Sequence, residues 1–167
     1  AMNWGTLAGW SNGVQWLQSF FQLVNSDDVY GIAVHIYMNS AQAALGDLQR
    51  YKVFGKPLWL TEFCGWDGVS SSAAQVQFMT QAINALEQDE GLERYAWFIP
   101  RGGYATEAAP FMSLLTKTGQ VALTERGVVF VNMSSFDKNA VYPCGKRIPA
   151  EHYRACSVMF CRNTFTT

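Results

Sequence analysis

Three uninterrupted apolar runs alternate with three segments of helical period, and this alternation constrains the chain more than any other feature. Val29 to Tyr37 (VYGIAVHIY), Lys56 to Phe63 (KPLWLTEF) and Leu92 to Ile99 (LERYAWFI) are each short, rich in β-branched or aromatic residues and bounded by turn-forming residues, so each reads as a strand. Their near-continuous apolar character predicts strands buried on both faces and hence paired in parallel. Between and before them lie helices. Gly13 to Val24 places Trp16, Leu17, Phe20, Phe21 and Val24 on one stripe, with Ser11 or Asn12 as N-cap. Ser40 to Phe54 repeats Ala41, Ala44, Leu45, Leu48 and Tyr51 and closes on Gly55 before Pro57. Ala73 to Gln88 turns Val76, Met79, Ile83 and Leu86 inward, capped by Ser71 or Ser72.

Strand–helix alternation leaves two architectures, the open doubly wound sheet and the closed (β/α)8 barrel. The G-x-G-x-x-G turn of the first is missing from the sequence. The second is favoured because His35, Tyr37, Glu62 and Trp97 all fall at the C-terminal ends of their strands, where a barrel assembles its chemistry. A whole barrel takes about 250 residues, and this chain has 167. The expected fold is therefore α/β, a partial (β/α)8 TIM barrel over residues 1–131, followed by an irregular extension over 132–167. A small three- or four-stranded α/β sandwich is the alternative. In the last part of the first unit, Phe111 to Leu115 reads as a helical turn and Leu123 to Val131 as a helix capped by Thr124.

Glu62 is the residue that needs explaining. A carboxylate on a buried strand costs several kcal/mol unless it is paired or hydrogen-bonded, so it is either a structural ion-pair partner or a catalytic group. His35 divides likewise between a core histidine bonded to a carbonyl and a site residue. Trp59, three residues before Glu62, points to the opposite face if the strand alternates regularly, and so packs between strand and helices.

Composition excludes more than it identifies. A formal net charge of −1 disfavours a nucleic-acid partner, and no apolar run reaches the roughly 18 residues of a membrane span. Aromatic residues make up 14% of the chain, which suits either a large core or stacking on sugar rings. Cys64 reads as a buried free thiol. Cys144, Cys156 and Cys161 crowd the tail, where they could form one disulfide with an odd thiol left over or, with His152, a metal site, although the C-x2-C spacing of most zinc sites does not occur. Neither a resident metal nor a cofactor is expected, and the N-terminal residues lack the features of a signal peptide.

The segments WLQSFF (16–21), GIAVHIY (31–37), GKPLWLTEF (55–63), QFM (77–79) and ERYAWF (93–98) together resemble, in order and spacing, the C-terminal half of the catalytic domain of glycoside hydrolase family 128. The resemblance covers about residues 10–127. It implies a (β/α)8 barrel of the retaining clan A and endo-β-1,3-glucanase activity on a β-glucan polysaccharide or oligosaccharide, in a secreted or cell-wall setting. It implies Glu62 as nucleophile, His35 and Tyr37 as residues that orient it or bind the adjoining sugar, Trp97 as an aromatic platform under the sugar, and Trp66 as a further stacking surface. The family's acid/base, a Glu following Asn on the fourth strand, has no counterpart here. The remaining acidic residues lie in loops or helices, with Asp67 and Glu107 the two whose loops could reach the mouth. The resemblance thus implies a missing N-terminal barrel half as partner. A chain keeping the aromatic cleft without the acid would instead be a non-catalytic β-glucan-binding or cell-wall-associated protein.

Overall fold

The computed structural model describes residues 2–3, 12–66, 68–102, 111–116 and 118–133. Its centre is a parallel sheet of four strands in the order β1 (Met2–Asn3), β2 (Ile32–Met38), β3 (Leu58–Gly65) and β4 (Leu92–Trp97). Three of these are the expected strands. The first, a two-residue strand whose Met2 and Asn3 pair with Val34 and His35, is too short to leave a pattern in the sequence.

Helix α1 (Gly13–Leu23) leads into β2, α2 (Ala41–Gln49) joins β2 to β3, and α3 (Ser72–Leu86) joins β3 to β4. Each start is capped by a side-chain oxygen accepting a backbone N–H: Asn12 for α1, Ser40 for α2 and Ser71 for α3. After α2 the chain tightens into a 3-10 turn, Arg50–Phe54, and stops at Gly55, whose φ of 64° suits a residue without Cβ. Strand order follows chain order without reversal, and the core residues of α2 and α3 cluster with one face of the sheet. That winding is the barrel's. A doubly wound sheet reverses its strand order and covers both faces.

Ile32, Val34, Ile36, Leu58, Leu60, Phe63, Leu92, Tyr95 and Trp97 are buried with Leu48, Phe78, Met79 and Ile83 of the helices. Ala33, His35, Tyr37, Trp59, Thr61, Glu62 and Ala96 remain only half-buried on the strands. The expectation of strands buried on both faces is therefore corrected for the described residues: helices cover one face, and the other is left partly exposed except at Cys64. Alternation was present in Ile32-Ala33-Val34-His35-Ile36-Tyr37, masked by the apolar character of both sets. On α3, Gln75, Phe78 and Ala82 join the buried side, whereas Val76 is half-buried. Val24 and Leu23 at the end of α1 are exposed.

The expected helical turn over Phe111–Leu115 is not a helix: a turn at Phe111 passes into an irregular stretch in which Leu115 bridges Leu123 in antiparallel fashion, and the segment leads into α4 (Glu125–Asn132), capped by Thr124 as expected. Gly127 lets α4 approach closely, since a Cβ there would stand 2.1 Å from the Leu114 carbonyl oxygen. The expected extension lies, beyond Met133, outside the described residues.

Candidate active site

A β-bulge aims Glu62. In the β2–β3 ladder Val34 pairs with Leu60 but His35 pairs with Glu62, so Thr61 and Glu62 together oppose a single step of β2. On the β4 side the same two residues stand against Ala96 alone, between the Leu60–Tyr95 and Phe63–Trp97 partners. The inserted residue inverts the alternation beyond it, which puts Glu62 on the open face together with Trp59. This corrects the expectation for Trp59, which rested on regular alternation. Trp59 lies further back along the open face, its indole N–H donating to Glu93 Oε2 (2.6 Å) and its ring 4.8 Å from the Arg94 guanidinium carbon, a cation–π contact. Tyr30 donates to the other Glu93 oxygen at 2.9 Å.

Around Glu62 the open face gathers two groups from β2. The Tyr37 hydroxyl donates to Oε2, and His35 Nδ1 stands 3.2 Å from the same oxygen. Neither of these contacts uses Oε1. The Glu62 side chain keeps 33% of its surface exposed, so it is not a sealed core charge, and among the described residues no Arg or Lys pairs with it. Nδ1 of His35 faces a carboxylate, and among the described residues the ring has no backbone carbonyl of the kind the alternative reading expected.

Two further rings pack against Tyr37: Trp66, immediately after β3, at 5.6 Å between centroids, and Phe98, immediately after β4, at 5.7 Å, both edge-to-face. Of the expected site residues the structure brings together Glu62, His35, Tyr37 and Trp66. Trp97 is not among them. It is 6% exposed on the helix-covered face, packs edge-on against Phe63 at 5.2 Å and Phe78 at 6.3 Å, and donates its indole N–H to the Met112 carbonyl at 2.9 Å. Pairing with Phe63 fixes its parity, and the next residue, Phe98, emerges beside Tyr37 instead. In Trp97-Phe98 both residues are aromatic, so composition alone could not choose between them.

Cys64 pairs in register with Tyr37 and is free and fully buried. Burial, and secondarily the Glu62 charge, push its thiol well above the ordinary range. A thiol so buried is not presented to a substrate. Gln75 of α3 went unnoticed in the sequence: it is 1% exposed, and both atoms of its side-chain amide bond Gly65 at the end of β3. A glutamine beside the buried stripe of a helix was the available signal.

Described carboxylates other than Glu62 sit elsewhere in the topology. Asp27 and Asp28 precede β2, Asp47 is on α2, Glu87, Asp89 and Glu90 follow α3, and Glu125 at the start of α4 bonds Ser72 at the start of α3; Glu93 departs from the expectation of loops or helices, because it lies on β4, at the end away from Glu62. Among the described residues Glu62 is thus the one carboxylate at the C-terminal end of the open face. Asp67, Glu107, His152, Cys144, Cys156 and Cys161 lie outside the described residues. Among those described, no group of three His, Cys, Asp or Glu is placed to hold a metal, and no helix is long and apolar enough to cross a membrane.

A singly wound parallel sheet with a hydrogen-bonded carboxylate and aromatic rings at the C-terminal strand ends has the arrangement of a glycosidase catalytic domain. Comparison with known proteins agrees. A family profile described as glycosyl hydrolase catalytic core matches residues 1–130, and the chain belongs to that family, with its resemblance directed to the family 128 glucanases. It is similar to a family 128 subgroup II endo-β-1,3-glucanase from Sorangium cellulosum, with 30% identity over 75% of this chain and 50% of that one, TM-score 0.65. The corresponding enzyme from Pseudomonas viridiflava gives 33% identity over 80% of this chain and 53% of that one, TM-score 0.64. Alkali-sensitive linkage protein 1 of Schizosaccharomyces pombe is 29% identical over 127 residues, which are 72% of this chain and 23% of that protein. The chain therefore spans about half the length of the solved glucanases and less than a quarter of the linkage protein.

Proposed function

We propose that this chain carries the nucleophile half of a retaining β-1,3-glucan hydrolase site, with Glu62 as the attacking carboxylate. The observation that carries this reading is Glu62 itself, half-exposed at the C-terminal end of β3 with the Tyr37 hydroxyl and His35 Nδ1 both on Oε2. A retaining glycosidase needs an ionised carboxylate to attack the anomeric carbon and a second carboxyl group, about 5–5.5 Å away, to protonate the leaving oxygen. The hydroxyl that Tyr37 donates to Oε2, with the His35 ring beside the same oxygen, holds negative charge there and orients the group, leaving Oε1 as the oxygen presented for attack. The rings of Trp66 and Phe98 beside Tyr37 offer apolar faces to the C–H surfaces of a pyranose.

The acid/base partner comes from outside the described residues. The reading that favours it most directly is a complementary N-terminal barrel half, which would close over the open face that His35, Tyr37, Trp59 and Glu62 share. β-1,3-Glucan as substrate is supported by the names of the similar glucanases, and a secreted or cell-wall setting belongs to the same reading. Because Glu62 stands without a second carboxylate at its end of the described open face, a second reading remains: a non-catalytic β-glucan-binding protein.

Titration of the chain with laminarihexaose and cellohexaose, combined with assay of the chain joined to such a barrel half, tests these readings. The hydrolase reading predicts preference for the β-1,3-linked oligosaccharide and a rate loss of at least about a thousandfold in Glu62→Gln. A loss of less than tenfold contradicts the nucleophile assignment, and binding without turnover in the joined protein favours the binding protein.

A further inference from the structure

Gly65 occupies an unusual place in the sheet. Phe98 donates its N–H to the Phe63 carbonyl at 3.0 Å, and β4 has ended by then at Trp97. On the other edge of β3, Trp66 donates to the Met38 carbonyl at 2.8 Å. Because successive residues of a strand direct their backbone polar groups to alternate sides, the N–H and C=O of Gly65 point to the side that β4 has left. Gln75 takes the vacated place. Its Oε1 accepts from the Gly65 N–H at 2.9 Å and its Nε2 donates to the Gly65 carbonyl at 3.0 Å, so one side-chain amide imitates the edge of a neighbouring strand. The fit requires glycine: a Cβ at position 65 would stand 2.4 Å from Gln75 Oε1 and 2.9 Å from both methyl carbons of Val69.

What the clamp holds is the aromatic side of the candidate site. Gly65 is followed directly by Trp66, Trp66 packs on Tyr37, and the Tyr37 hydroxyl donates to Glu62. We infer that Gln75 is a positioning residue, which by fastening α3 to the end of β3 sets Trp66 against Tyr37 and so shapes the sugar-contacting edge beside Glu62. This inference rests on the glucan-site reading above, and its test separates the two.

In the full chain, Gln75→Met keeps the side-chain volume and removes both amide bonds. The expected result is loss of most of the ring-to-ring nuclear Overhauser signal between Trp66 and Tyr37, together with about tenfold weaker laminarihexaose binding. Ile83→Val, in the core of the same helix, serves as a control that lowers stability while leaving both unchanged. If Gln75→Met lowers the melting temperature as the control does yet keeps the ring signals and the affinity, the positioning role is overturned. Should the wild-type chain bind no laminarihexaose, the glucan reading falls, and the ring signals alone decide the role of Gln75. Should Gln75→Met not fold, hydrogen exchange in the wild-type chain decides: the Gly65 amide is expected to exchange with the slow amides of α3, and exchange as fast as the loop amides of Gly68 to Ser70 overturns the clamp.

Discussion

Glu62 and Cys64 lie two residues apart on the same face of β3 and have opposite chemistry, which burial decides. Glu62 keeps a third of its side chain in solvent and gains a hydroxyl donor, whereas Cys64 has no exposure. A buried thiol beside a carboxylate is held in its unreactive protonated form. Alkylation of Cys64 by iodoacetamide at pH 8, followed peptide by peptide in the mass spectrometer, is expected to be at least about a hundredfold slower in the native chain than in urea. Rates within about threefold of each other would show that the site is open to solvent at this point. That Glu62, His35 and Tyr37 meet was legible because a charge or polar ring at the end of an apolar strand has few structural explanations, and parallel pairing brings such ends together. Trp97 misled for the complementary reason: an aromatic at a strand end satisfies core and site alike, and only the parity set by Phe63 resolves it.

At the level of elements, helix caps and strand positions followed local chemistry, and what escaped the sequence was non-local. The bulge at Thr61-Glu62 exists only relative to β2 and β4, and the Gln75 clamp only relative to the point where β4 departs. A third such contact ties the 3-10 turn after α2 to the loop before β4. Asp89, 7% exposed, accepts from Lys52 Nζ at 2.6 Å, Gln49 Nε2 at 2.8 Å and the Gly91 N–H at 2.9 Å. Burial alone would raise its carboxyl, but the bonds from Lys52, Gln49 and Gly91 outweigh it and hold the group below the ordinary value. With the folded value depressed, the stabilisation is fully present above the unfolded value of about 3.9 and is lost as pH falls through the folded one. Urea denaturation should find Asp89→Asn about 1–2 kcal/mol less stable than wild type at neutral pH, with the gap closing below about pH 4. A gap that stays constant with pH would refute the ionic contribution.

For the molecule as a whole, the open face unites the observations. Helices seal one side of the sheet, and the other carries His35, Tyr37, Trp59 and Glu62 half-exposed, with the Tyr30–Glu93–Trp59 hydrogen bonds and the Arg94 contact at one end and the Glu62 group at the other. On the reading proposed above, this is the face that a complementary barrel half would enclose, and the chain covers only about half of the solved glucanases. That Glu62 acts as a nucleophile can be tested without its acid partner, because a fluoride leaving group departs without protonation. The measurement is mass spectrometry of the chain after incubation with 2-deoxy-2-fluoro-β-laminaribiosyl fluoride, whose fluorine at C2 slows release of the glycosyl-enzyme. Covalent glycosylation confined to the peptide containing Glu62, and lost in Glu62→Gln, is the predicted result; labelling that persists in Glu62→Gln, or no labelling of a chain that binds laminarihexaose, would contradict the account.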